Sequence, residues 1–209
     1  MGILYNGVLG GFVNKTGPLV GRRIGKKNVV SALPHKSELP ATELQGIQRT
    51  KFKVLRACLL NFNSLIQIGF RAGMAEARLD AAFTANYRAA ISENPPGFRI
   101  DYDKLVLSRG KLQVLNALTA SYLPDSQTLK FSWLSDVQNR INRETDFVCF
   151  SVYDSGLHAI TNAMLLAKRS DLSYTMQLHQ DFTAGELHCY VTVASATNKD
   201  VSNSVYLNL

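Results

Sequence analysis

A histidine stands beside a cysteine at His188-Cys189, the only pairing in this chain that could supply an activated nucleophile. A thiol attacks efficiently when an imidazole within hydrogen-bond reach takes its proton. The surrounding run, His188-Cys189-Tyr190-Val191-Thr192-Val193-Ala194, reads as a strand, and neighbours on a strand point to opposite faces, so these two cannot serve one substrate. His158 and His179 lack the His-x-His or His-x-x-x-His spacing of a metal site. Asp101 and Asp103 would share a sheet face, but at a strand edge they are expected to be solvated or paired with Arg99 or Arg109, and carboxylate catalysis needs a cleft that the sequence does not disclose. Glycines that free backbone amides can cradle phosphate, yet Asn14-Lys15-Thr16 has Asn where a phosphate loop requires Gly. Gly25-Lys26-Lys27 lacks the spacer and the hydroxyl, and no apolar strand precedes either. The residues therefore predict no catalytic group, metal ligand or cofactor, and the chain is expected not to be an enzyme.

What remains is charge. Ten Lys or Arg fall within residues 1–56 against Glu38 and Glu43, so this stretch holds +8 of a chain whose formal total is +7. Its first part interleaves the cations with glycines: Lys15, Gly17, Gly21, Arg22, Arg23, Gly25, Lys26 and Lys27 form a basic arm over residues 1–40. Gly17, Gly21 and Gly25 are spaced by four, but Pro18 and the low helix propensity of Gly favour extended or looped backbone, where Gly permits positive φ or close approach of another chain segment. Such an arm is ordered by what it touches: another subunit, a polyanion or its own domain.

The elements behind the arm predict an α+β fold. Thr42-x-x-Gln45 offers a helix start, and Leu44, Ile47, Leu55, Cys58, Phe62, Leu65 and Phe70 recur at helical spacing. Gly69 and Gly73 permit a bend before a second helix from Met74 to Ile91, stopped by Asn94-Pro95-Pro96-Gly97. Residues 41–96 should thus form a helical hairpin. From 97 to 209 short alternating runs predict strands near 103–108, 111–120, 127–133, 145–153, 157–166, 172–180, 186–195 and 203–208, the count of an antiparallel β-sandwich. Cys58, Cys149 and Cys189 lie in apolar runs without C-x-x-C spacing and are expected as buried thiols.

Two resemblances follow from these residues. Leu129-Lys130-Phe131-Ser132-Trp133, with Trp133 inward, and the hairpin from His188 to Leu207 resemble strands of fibronectin type III domains, which implies an Ig-like sandwich and no particular activity. Ile3-Leu4-x-x-Gly7-x-Leu9-Gly10-Gly11-Phe12, Lys15-x-Gly17-x-x-Val20-Gly21, Gln48-Arg49-x-Lys51-Phe52, Ile100-Asp101-Tyr102-x-Lys104, Leu107-Ser108-Arg109-Gly110 and Val201-Ser202-Asn203-Ser204-Val205-Tyr206-Leu207 resemble an uncharacterised family abundant in Bacteroidota. That resemblance implies a shared fold and supplies no catalytic residue. A compact neutral body with a projecting arm suits a non-enzymatic structural protein that self-assembles as a homo-oligomer in a shell, filament or phage-like particle. Nucleic acid bound by the basic arm is the alternative partner. With no signal peptide and no run of about 18 apolar residues, the chain is expected to be cytoplasmic at synthesis and to have no membrane partner.

Overall fold

The computed structural model describes residues 2–4, 10–34, 39–71, 75–94, 97–135, 142–182, 187–197 and 199–209. Gly7, Leu9, Glu38, Gly73, Met74, Pro95 and Pro96, all named above, lie outside them, as do Lys36, one of the ten cations of residues 1–56, and Asn198, in the turn of the expected C-terminal hairpin. The chain is mixed α+β and divides into two units, residues 1–43 and 44–209.

The first unit is an antiparallel meander of β1 (Ile3–Leu4), β2 (Phe12–Thr16), β3 (Leu19–Ile24) and β4 (Lys27–Ala32), paired in chain order. Its glycines make the turns. Thr16 pairs with Leu19 and Ile24 with Lys27, which leaves the two-residue loops Gly17-Pro18 and Gly25-Lys26. Gly17 and Gly25 take φ of 56° and 60° while the residue after each stays at negative φ, the type II′ geometry whose twist matches that of paired strands.

In the second unit α1 (Glu43–Asn61), α2 (Asn63–Gly69) and α3 (Ala75–Asn86) precede a hairpin of β5 (Ile91–Asn94) and β6 (Gly97–Ile100). The expected first helix is thus interrupted at Phe62, which the helix-poor residues Asn61 and Asn63 flank. Leu55, Cys58, Leu59 and Phe62 form its buried stripe, whereas Leu44 and Ile47 are exposed. The antiparallel register explains this. Arg56 meets Asp80, Phe52 meets Phe83 and Gln48 meets Tyr87, so residues before Gln48 have run past the end of α3. The second helix stops at Asn86 rather than Ile91, because Ile91 to Asn94 is claimed by pairing with β6.

Seven further strands follow: β7 (Asn116–Leu123), β8 (Thr128–Leu134), β9 (Phe147–Asp154), β10 (Ala159–Lys168), β11 (Ser173–Gln177), β12 (Leu187–Ala194) and β13 (Val205–Asn208). They form an antiparallel sheet β11-β8-β7 and another β10-β9-β12-β13. Leu129, Phe131 and Trp133 of β8 share one buried cluster with Val148, Phe150 and Val152 of β9 and with Cys189, Val191 and Val193 of β12. The other face of the four-stranded sheet is buried too: Cys149, Tyr153 and Tyr190 pack with Phe62, Leu65 and Ile66 of the helices. That double burial is why β9 reads as an almost unbroken apolar run instead of alternating with polar residues.

No regular strand occupies 103–108 or 111–115. Tyr102–Lys104 is a short 3-10 turn, and β7 begins only at Asn116. Leu105, Leu107, Leu112 and Leu115 are buried and give the segment its strand-like alternation. Apart from a single bridge between Leu112 and Ser202, this stretch joins no ladder; its polar groups are satisfied mainly by side chains and by the backbone of neighbouring segments.

Candidate assembly surface

The meander brings the arm's cations onto one small sheet but not onto one face. Register pairs Lys15 with Val20, Arg22 with Val29 and Ile24 with Lys27. Period-two alternation therefore puts Lys15, Arg22 and Lys27 on one face beside Val20, Ile24 and Val29, while Arg23 projects with Val30 from the other. Lys26 stands in the turn. Gly21 is the single buried residue of this unit among those described, and it has to be glycine. An added Cβ would lie 2.7 Å from the Phe12 ring and closer still to the Phe12 carbonyl oxygen. Around it the large apolar side chains stay in solvent, including Ile3, Leu4, Leu19, Val29, Val30 and, at 64% exposure, Ile24. No acidic residue occurs before Glu38, so the four strands themselves carry no carboxylate to pair their cations.

The groups screened for chemistry are dispersed. Cys189 faces the sheet-to-sheet cluster, while His188 stacks on Tyr102 at a 4.0 Å centroid distance and its Nδ1 lies 3.0 Å from the Tyr206 hydroxyl. All three thiols are free and buried, and burial pushes Cys58 and Cys189 up to about 12 and Cys149 to about 11, so none offers a thiolate near neutral pH. His158 bonds Tyr153 across 3.0 Å, and His179 pairs with Asp181 in solvent. Asp101 is held by Lys104 and Ser92, which lower its pKa. Among the described residues no three His, Cys, Asp or Glu side chains gather as metal ligands.

His188 does give the fold a pH dependence. Desolvation lowers its pKa below 6.5, opposed by Asp154 and assisted by Arg99. The unfolded chain then binds the proton more readily, so the contribution of neutral His188 is complete above pH 6.5 and is lost as the pH falls below it. Melting temperatures measured from about pH 8 down to about pH 5 should show a wild-type decline that His188→Gln flattens.

The most constrained polar site lies where two of the sequence blocks meet. Ser108, fully buried, donates through its hydroxyl to the Ser202 carbonyl, and the Ser204 N–H donates to the Ser108 carbonyl at 3.1 Å. The Leu107 N–H donates to the Ser204 hydroxyl at 3.0 Å, and the Gly110 N–H to Asn203 Oδ1 at 3.1 Å. The Arg109 N–H reaches the Gly69 carbonyl at 3.1 Å, tying this strip to the end of α2. From α3, the buried Asn86 amide donates to the Val106 carbonyl and accepts the Val106 N–H, both at 2.7 Å. Sequence reading named Leu107-Ser108-Arg109-Gly110 and Val201 to Leu207 without seeing that they touch. Serines and asparagines inside otherwise apolar runs were the available signal.

A mixed α+β chain with a separate small β unit and a motif-built junction defines a structural class rather than a reaction. Residues 11–208 match the family of unknown function DUF6266, and the chain belongs to that family. No curated protein matches it. No helix among the described residues is long and apolar enough to cross a membrane.

Proposed function

We propose that this is a non-enzymatic structural protein that self-assembles through its N-terminal meander, in a shell, filament or phage-like particle. The observation that supports it is the missing core of residues 1–43. Units of about 40 residues lie at the lower limit of what folds without staples or partners, and a small antiparallel sheet needs a buried apolar face to be stable alone. Among its described residues this one buries a single glycine and leaves Ile24, Val29 and Val30 exposed. A second copy of the same surface supplies the missing burial, and β4, the last strand of the sheet, offers an edge for strand addition. The rigid body is then a fibronectin-type sandwich. In support, the first, second and fifth of its seven strands share one sheet and the third, fourth, sixth and seventh share the other. Light scattering on the intact chain and on meander variants tests assembly, as set out in the Discussion.

Nucleic-acid binding by the arm is the second reading, favoured by five exposed cations at 15, 22, 23, 26 and 27 with no acidic residue before Glu38. Each phosphate contact releases counterions, so changing Arg22, Arg23, Lys26 and Lys27 to Ala should flatten the dependence of log K on log salt by up to about 3.6 for a duplex. An unchanged slope removes this reading.

A further inference from the structure

We infer that the groove between the C-terminal half of α3 and the Val106–Arg109 strip is a binding site for a small organic anion with an apolar body. Two cavities adjoin there, of about 920 and 350 Å³, sharing Ala85 and Arg109 in their walls. The larger is walled by Phe70, Phe83 and Tyr87, and its polar reach comes from Arg88 and Arg109. The smaller adds the hydroxyl and amide of Ser204 and Asn203. The groove is open to solvent, and an apolar, aromatic-walled concavity of this size with a few placed polar groups suits a small molecule.

Charge selects the ligand. No carboxylate lines either cavity among the described residues, and neither the Arg88 nor the Arg109 guanidinium forms a salt bridge or hydrogen bond with a described residue. The nearest acid along α3, Asp80, lies one turn before Thr84 and is engaged by Arg56 at 2.9 Å. Among the described residues the walls of the groove therefore carry positive charge only. A carboxylate held by the arginine forks would lay its apolar part on the aromatic walls.

Arg109 is also placed by the backbone rather than left on a mobile loop. Its own N–H is bonded to Gly69, its neighbour Ser108 is buried against Ser202, and Gly110 is bonded to Asn203. The junction thus presents one guanidinium at the point where the two cavities meet, which assigns the Ser108-Arg109-Gly110 block a role that packing alone does not require.

Octanoate is the probe, titrated by calorimetry into the full-length protein and into Arg88→Ala, Arg109→Ala, the double variant and Thr84→Trp, which fills the groove from an exposed helix position. One octanoate per chain is expected. Each single arginine variant should bind about fivefold more weakly and the double variant at least tenfold, as for charge-assisted contacts at partly exposed sites, with unchanged melting temperatures. Thr84→Trp should abolish binding, and 1-octanol should bind far more weakly than octanoate. Octanol binding as well as octanoate, affinity unaltered in the double variant, or no octanoate binding would each overturn the assignment.

Discussion

Gly110→Ala should destabilise the protein by about 3 to 5 kcal/mol, at the far end of what single substitutions do. A Cβ at this position would stand 2.7 Å from the Val201 carbonyl carbon, and its other close neighbours are the Val201 oxygen and Cγ2. The obstacle is backbone, and it has nowhere to go. The Val201 carbonyl accepts the Leu112 N–H at 3.0 Å, and Ser202, next along, donates its N–H to the Val193 carbonyl at 2.8 Å inside the sheet. Ordinary overpacking costs about 1 to 3 kcal/mol because side chains shift, which this site does not permit. Against a typical total stability of about 5 to 15 kcal/mol the loss is large, and in a chain of this size it lowers the melting temperature by roughly 6 to 20 °C. Asn86→Ala should cost about 3 kcal/mol by a different route, leaving the Val106 N–H and C=O without partners. Gly46→Ala is the control. Beyond its chain neighbours and its own helix backbone no atom lies within 4 Å of its added Cβ, it sits inside α1, and it should be stabilising by up to about 1 kcal/mol. Calorimetric unfolding of the three variants measures this directly, and a Gly110→Ala protein within about 1 kcal/mol of wild type would show that the junction yields freely.

The second large effect is on assembly. Ile24 and Val29 lie on one face of the meander and Val30 on the other, so the faces can be tested separately. Burying a Val or Ile side chain in a subunit contact is worth about 1.5 to 3 kcal/mol, and replacing it with a carboxylate adds a desolvation cost. Ile24→Glu with Val29→Glu, or Val30→Glu alone on the opposite face, should weaken self-association about 100-fold or more when the altered face is the contact. None of the three residues belongs to the buried clusters of residues 44–209, so the unfolding of that unit should be unchanged.

Much of this architecture is legible in local sequence, and the exceptions share a cause. Phe131 and Trp133 alternate with polar neighbours and do point inward, with the Trp133 indole donating to the Arg169 carbonyl at 2.9 Å. Gly17 and Gly25 advertise turns, and turns are what they make. Tertiary context decided the rest. Residues 105–115 alternate as a strand would, yet their backbone is held by Asn86, Ser204 and Asn203, partners up to 97 positions away along the chain. Ile91 looks like the end of a helix because its pairing partner, Ile100, lies beyond two prolines. The basic cluster reads as one patch in sequence, but strand pleating sends Arg22 and Arg23 to opposite sides. The groove was invisible for the same reason: Arg88 and Arg109 come from separate elements and become neighbours only when the junction closes.

The most direct test of self-assembly is size-exclusion chromatography with multi-angle light scattering on the full-length chain beside Ile24→Glu/Val29→Glu and Val30→Glu, with the 260/280 nm absorbance ratio recorded. The account predicts a wild-type mass at a multiple of 23.1 kDa that falls toward 23.1 kDa in at least one of the variants. A high absorbance ratio in the assembled peak would add bound nucleic acid. A wild-type protein that elutes as a 23.1 kDa monomer, or an oligomer indifferent to both faces of the meander, would contradict it.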